Sequence, residues 1–558
     1  MLCGWFKFVL MRIFLYIIIA VFISATAKAQ FNLGIATGNW SGMNSLYLNP
    51  ADIADSRAKF VIDILSVNAG VENSLGTINS RNGLIGAALH GDSTNHLFNY
   101  SNSNKFSLLA PYAQIRLPGI MVSINHKHSF ALTTGIRGMN QFNNFDQSLY
   151  KTIADPTYVP NGNVDLTSNK FNYTAQLWSE VGLTYAGVVL DKEEHEIKVG
   201  ATLRYLGGIG YLSLKGNNLN AHYKSGVDSL YVTNTDLEFA SNIVSTRNAV
   251  FNGFSNGNFL NEFFGAKGGV GVGGDIGVVY DYMPDYERDK CEGENKSVRT
   301  DHSKNRYKLR ISASVMDIGA ITYKSQYNSN AEVTGNGNIS GSDFSNNVHN
   351  YNDFRAYSVS HGFTADTSHQ NTKVYMPTTL RLFADYNILG RFYVNAGYIG
   401  NLANRQNFGN SYYSQITVTP RYDCRKLSLA LPITYSMLDK SMKMGFGIRY
   451  SGFYIGSDDM IGLVASNQSG VNIYGGGFIE INKRKPKGTV LPKEDVVPEP
   501  DMEHGGSPDT TVNSPDGSAS MFNNRVNSKY AIGQQKTVPA NSESIAGPEK
   551  QYAIKKQE

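Results

Sequence analysis

Short segments in which apolar and polar side chains alternate recur along the chain, and this period of two constrains the fold more than any other feature. In YKLRISASVM, Tyr307, Leu309, Ile311, Ala313 and Val315 oppose Lys308, Arg310, Ser312 and Ser314. In KLSLALPITYS, the set Leu427, Leu429, Leu431, Ile433 and Tyr435 opposes a mostly polar one. The pattern returns in Ile197, Val199, Ala201, Leu203, Tyr205; in Leu380, Leu382, Ala384, Tyr386, Ile388; and in Met444, Phe446, Ile448, Tyr450. Successive side chains of a strand point to opposite faces, so each segment reads as a strand with one apolar face. Segments of about nine to eleven residues are long enough, when tilted, to cross a bilayer.

The stretch GGVGVGGDIGVVYDY (268–282) contains Gly269, Gly271 and Gly274 in the spacing of a dinucleotide-binding loop. Such a loop closes a strand and opens a helix, so an apolar helical period should follow. Instead Val270, Val272, Ile276, Val278, Tyr280 and Tyr282 keep a period of two. A strand is expected, with its valines toward lipid and Asp275 and Asp281 toward the lumen. The inward glycines either leave space for a plug or permit sharp curvature.

Alternation alone also fits a soluble sandwich. Two further features favour a transmembrane antiparallel β-barrel of about fourteen strands, more than one ordinary sandwich contains. Some connections are tight and polar, such as Asp191–Glu194 and Leu438–Ser441; others are long and rich in Asn, Ser and Gly, near 70–105, 140–172, 216–265, 283–305 and 325–372. Short turns at one rim and long loops at the other characterise outer-membrane barrels. The amino end supplies the export route: Arg12, an apolar run Ile13–Ile23, then Ala27-Lys28-Ala29, which predicts signal cleavage after Ala29.

The expected organisation is therefore a signal peptide over 1–29, an N-terminal luminal segment over 30–57, a barrel over 58–482 and a disordered periplasmic tail over 483–558. The tail holds 8 of the 17 prolines and lacks apolar periodicity. Its basic start, Lys483, Arg484, Lys485 and Lys487, would either meet anionic headgroups or end the last strand as a solvated boundary. With Tyr 33, Phe 28 and Gly 55 but only 17% charged residues, the composition suits strands and turns better than a helix-rich enzyme. A net charge of +4 without a basic, aromatic-interleaved stripe gives no reason to expect nucleic acid. Cleavage leaves Cys291 and Cys424, as one disulfide or two thiols.

Constellations for catalysis are scarce. His126 and His128 lie two apart, but their segment reads as a hairpin turn and brings no carboxylate or cysteine with it. Asp458 and Asp459 would point to opposite faces of a strand, unable to serve one substrate. No catalytic, metal or cofactor residue is expected, and the chain is not expected to be an enzyme. If the apolar parity faces lipid, Lys198, Arg204, Lys308, Arg310, Arg381, Asp385 and Arg449 point inward, and buried charges require partners or water.

Four stretches, SLYLNPADIAD (45–55), DIGAITY (317–323), GFYIGSDDMIG (452–462) and VNIYGGGFIEINKRKPK (471–487), resemble an uncharacterised family of Bacteroidetes outer-membrane barrels. That family is similar to the PorP/SprF proteins of type IX secretion and gliding, and more distantly to FadL-type channels. The resemblance implies a Gram-negative outer membrane, contact with its lipid, and periplasmic or surface protein partners. It also implies that Asn49, Pro50 and Ala51 lie inside the barrel; as plain sequence, they suit an ordinary turn before the first strand equally well. A scaffold or assembly component is the first functional expectation. The alternative is a FadL-like channel for hydrophobic or small polar molecules, and an enzyme in the barrel mouth comes last.

Overall fold

Strand pairs with strand in chain order until the last meets the first. The computed structural model describes residues 31–78, 98–154, 164–167, 170–223, 230–242, 268–292, 298–340, 343, 347, 351–465, 469–486 and 489–490. Residues 1–29, expected as a signal peptide, and the part of the expected tail beyond 490 lie outside the described residues.

Fourteen antiparallel strands form the wall: β1 Ala58–Asn73, β2 Lys105–Ser123, β3 His128–Asp146, β4 Phe171–Lys192, β5 His195–Tyr223, β6 Gly269–Tyr282 and β7 Leu309–Tyr323, then β8 Thr379–Leu389, β9 Phe392–Asn401 and β10 Gln415–Asp423. β11 joins Leu427–Ala430 to Ile433–Ser436, β12 joins Ser441–Met444 to Phe446–Tyr450, and β13 (Phe453–Ser457) and β14 (Gly470–Asn482) complete the circuit. β14 pairs with β1 from Ala58↔Asn482 to Glu72↔Gly470, so the barrel closes. Closure leaves no open edge along the wall, as spanning a bilayer with strands requires.

The two faces divide as the alternation dictates. Leu203 is 64% and Val272 63% exposed on the outside, whereas Asp275 and Arg449 are each 1% exposed within. No helix among the described residues is long and apolar enough to cross a membrane. An exposed apolar exterior around a charged interior is the inside-out pattern of a membrane barrel. In β6 the exposed residues are Val270, Val272, Ile276 and Val278, with Asp275 and Asp281 buried inside.

One rim is made of tight hairpins, including the two-residue turns Glu193-Glu194, Gly390-Arg391 and Ser451-Gly452. Glu193, Gly390 and Ser451 hold positive φ there, the twist that short hairpins need. Ala58 and Asn482 end at this rim, which is called the inner rim below. Two connections depart from the sequence expectation. The turn after Ser436 lies at the opposite, outer rim, because Ser436 pairs with both Gln415 and Ser441. The long connection between Tyr282 and Leu309 starts and ends at the inner rim, because Tyr282 pairs with both His195 and Leu309. Strand parity, not loop length, decides the side on which a connection falls.

Stretches read as long polar loops also carry strands. The outer half of β5 pairs with Leu230–Ser241, which pairs with Ser329–Ile339, which pairs with Phe363–Ser368, extending a sheet beyond the wall. At the inner rim Lys290–Glu292 pairs with Val298–Thr300 and with Thr489–Val490. Order therefore continues past residue 482, where the tail was expected to begin. The alternation fails at one further point: Tyr307 is buried, although its parity with Leu309 had placed it outside. β7 begins only at Leu309, and before that residue the pleat does not apply.

Candidate functional site in the barrel lumen

Residues 31–57 fill much of the lumen as a plug of short turns: a helical turn Leu33–Ala36 and 3-10 turns Asn44–Tyr47 and Pro50–Ile53. Leu33, Met43, Leu46 and Ala51 are fully buried. Short turns leave backbone groups unpaired, and the wall supplies their partners. Asp458 accepts from Leu33 N (3.0 Å) and Gly34 N (3.3 Å), Asp423 accepts from Asn39 N (2.5 Å), and Ser314 donates to Leu48 O (2.7 Å). Arg116 donates to Asn44 Oδ1 (2.8 Å) while stacking over the Tyr47 ring, and Arg381 donates to Tyr47 O.

Asn49-Pro50-Ala51 sits inside the barrel. Asn49 Oδ1 caps the following turn by accepting from Ala51 N (2.9 Å), and its Nδ2 donates to Val278 O (3.0 Å) and Ala313 O (3.1 Å) on β6 and β7. A cap and a luminal contact, which sequence presents as alternatives, are made by the same side chain. The wall is cut away to receive it. A Cβ on Gly277 would overlap Asn49 Oδ1, and one on Gly200 would lie 2.5 Å from Ala51 N. Gly271 has a different reason: its Cβ would strike Ala320 O of the neighbouring strand.

The charges form neutral clusters. At mid-height Arg137, Arg204 and Arg381 meet Glu180, Asp275 and Asp317: Arg137 to Glu180 at 2.7 Å and Asp317 at 2.6 Å, Arg204 to Asp275 and Asp317 at 2.6 Å, and Arg381 to Asp317 at 3.7 Å. Toward the inner rim Lys198 and Arg310 share Asp281 (2.7 and 2.6 Å), and Arg306 joins Glu196 to Asp55 (2.8 Å each). Arg421 forks onto Asp385 with two bonds of 2.6 Å. Arg449 is spent mainly on carbonyls, those of Cys424 (2.6 Å) and Ser451 (2.8 Å).

Of the charges read from alternation, Lys198, Arg204, Arg310, Arg381, Asp385 and Arg449 are luminal. Lys308 is not: its ammonium lies over Tyr386, an exposed residue, and donates to Ile388 O. The same early start of irregular chain that buries Tyr307 turns Lys308 outward. Sequence reading missed Arg137, Glu180, Asp317 and Arg421. The first two stand at inward parity, Arg137 in a strand whose outward face is diluted by Thr134 and Gly138, and Glu180 beside the outward Val181, Leu183 and Tyr185. Asp317 lies at a bulge, where Gly274↔Ile318 is followed by Ile276↔Val315. It has φ 58°, and the Asp-Ile-Gly of DIGAITY was its available signal.

The remaining candidates resolve differently. Asp458 and Asp459 follow the end of β13 at Ser457, so strand alternation does not separate them, and both are buried. His126 stacks on His302 at 4.7 Å while His128 meets Tyr185, so they share no site. No group of three or more His, Cys, Asp or Glu placed to hold a metal ion occurs among the described residues. Cys291 and Cys424 are both free thiols.

Three cavities lie beside this framework. One of about 320 Å³ opens at the outer rim among Lys105, Phe106, Arg405 and Tyr413. A second, of about 20 Å³ and so of water size, lies below it among Phe31, Tyr112, Lys443 and Asp459. A third, of about 30 Å³, lies between the plug and β7, β8 and β9.

Among solved structures, the chain is similar to the toluene transporter TbuX of Ralstonia pickettii, with 12% identity, 82% of this chain and 100% of that chain covered, and a TM-score of 0.35. The toluene transporter TodX of P. putida gives 10% identity, 80% and 95% coverage and a TM-score of 0.36. A FadL homologue of Pseudomonas aeruginosa gives 11%, 81% and 96% coverage, and 0.27. At such identities and TM-scores none of these likenesses bears on what this chain carries. The curated proteins contain no match. The description of one family matches residues 50–458, about three quarters of the sequence from the plug's Pro50 to Asp458, and the chain belongs to that family of unknown function, DUF5723.

Proposed function

We propose that this chain is a channel of the Gram-negative outer membrane for small polar solutes, gated by its luminal plug. The observation that carries this reading is the cavity of about 320 Å³ that opens at the outer rim above the plug, with polar side chains lining it. An assembly component requires a docking surface but no entrance; this barrel has an entrance at its outer rim, and below it the plug narrows the lumen to gaps of water size. Its walls carry paired Arg, Lys, Asp and Glu, which disfavour a conduit for hydrocarbon and suit hydrated solutes. The plug is joined to the wall by hydrogen bonds, ion pairs and side-chain packing, so it is separable from the barrel without breaking a ladder between strands.

Reconstitution into liposomes tests the proposal. Small sugars and amino acids should enter vesicles containing the protein faster than protein-free ones. Asp458→Asn, which removes the charge holding Leu33 N and Gly34 N, should raise the rate. Equal permeability of protein-free, wild-type and Asp458→Asn vesicles would sink the channel and leave an assembly role.

A further inference from the structure

Two cations line the outer-rim cavity, and no Asp or Glu does. Arg405, in the connection between β9 and β10, donates through Nε to Ser411 Oγ (3.2 Å) and lies 5.0 Å from the Tyr413 ring centre. Among the described residues its Nη groups have no hydrogen-bond partner, and no carboxylate lies within ion-pairing distance of it. Lys105, at the outer end of β2, is exposed and makes no ion pair with Asp146, the residue opposite it on β3. The carboxylates closest in sequence to the other lining residues are engaged elsewhere. Asp439 accepts from Ser441 (2.7 Å) and lies 4.0 Å from Lys443, which also meets Glu72 at 3.4 Å. Deeper in the lumen Arg137, Arg204 and Arg310 are matched by carboxylates, whereas the mouth keeps two positive charges unmatched.

We infer that this cavity binds small hydrophilic organic anions. A cleft lined by one sign of charge, with low-dielectric walls, concentrates ions of the opposite sign. The guanidinium of Arg405 has donors left to offer, in the fork geometry that carboxylates and phosphoryl groups accept. Ser74, Ser107, Asn144 and Ser414 make much of the remaining wall polar, which suits a hydrated ion better than a hydrocarbon chain. A volume of about 320 Å³ lies within the range of small-molecule sites. The inference rests on the channel reading for its purpose, since it names the charge of the solutes that would enter.

Calorimetric titration of the full chain in a neutral detergent at low salt supplies the test. The probes are succinate, glycerol 3-phosphate, the neutral succinamide, and hexanoate, which exchanges polar character for hydrocarbon. The tighter-binding of the two dianions should bind saturably, about tenfold or more tighter than succinamide. Its affinity should fall as salt rises. Succinate ahead of glycerol 3-phosphate upholds the site as one for dicarboxylates, and the reverse order upholds it as one for phosphoryl anions. Arg405→Gln should weaken the preferred dianion about tenfold. Lys105→Gln, an exposed position whose replacement leaves the fold intact, should weaken it about threefold. Lys308→Gln, a cation turned to the outside, should leave it unchanged. Both dianions binding no tighter than succinamide, or hexanoate binding tighter than both, overturns the site on the unaltered chain. Unchanged dianion binding in both folded cavity variants overturns it as well. Dianion binding without vesicle flux would refute the channel and uphold the site; flux of sugars without dianion binding would do the reverse.

Discussion

Gly277 of β6 faces Asn49 of the plug so closely that any side chain at 277 would occupy the position of Asn49 Oδ1. The wall is therefore shaped around the plug at this point, and a single methyl group should act as a wedge. Gly277→Ala is expected to leave the barrel folded, with heat-dependent electrophoretic mobility unchanged, while raising solute flux. Gly271→Ala makes the contrast. Its methyl would strike Ala320 O in the next strand, so barrel stability should fall and the plug should stay in place. Equal behaviour of the two variants would contradict the separate roles assigned to these glycines.

Asp317 is the hub of the mid-height cluster, in contact with Arg137 and Arg204 at 2.6 Å each. Removing one member of a buried ion network strands the charges that remain. Asp317→Asn should cost about 3–5 kcal/mol in urea unfolding of the reconstituted barrel. The control is Asp165→Asn, whose side chain is 87% exposed opposite His222 and which should change stability by less than about 1 kcal/mol. A loss at Asp317 no larger than at Asp165 would show the network to be hydrated rather than sealed.

The direction of β6 is testable one residue at a time. Val272 is 63% exposed on the outer face, so Val272→Lys places an ammonium in hydrocarbon and should cost roughly 2–4 kcal/mol. In the folded barrel, a cysteine replacing Val272 should react with a lipid-soluble maleimide and not with a water-soluble one. Rapid labelling at 272 by the water-soluble reagent would overturn the register.

At the inner rim, burial and the facing His302 ring hold the His126 imidazole below its ordinary pKa. Asp55 and Asp191 also face it and oppose that shift. The folded chain thus takes up this proton less readily than the unfolded chain, whose histidine titrates near about 6.5. The contribution to stability is present above that pH and declines as pH falls toward the folded value. The thermal midpoint should therefore drop between about pH 7.5 and 5.5, and His126→Gln should reduce the drop. An identical drop in the variant would exclude His126 as the source.

Alternation by itself determined strands and the faces they present; choosing a barrel over a sandwich also took the connections and the amino-terminal segment. A strand presents each side chain to one of two faces, so Val270 to Val278 and Ile197 to Tyr205 announce both their conformation and their lipid side without reference to any other residue. The same parity identified Arg204, Arg310 and Asp385 as inward, because only lipid and lumen were available. Tertiary structure decided what parity cannot express. Asp317 enters the lumen through a bulge, where one extra residue breaks the count of two, and Tyr307 and Lys308 exchange their expected sides because the pleat starts only after them. Which connection falls at which rim depends on how many strands precede it, so the long connection from Tyr282 to Leu309 belongs to the inner rim. The pairing of Asn49 with Gly277, 228 positions apart, depends on how the plug folds back inside the closed wall, and no local pattern encodes that approach.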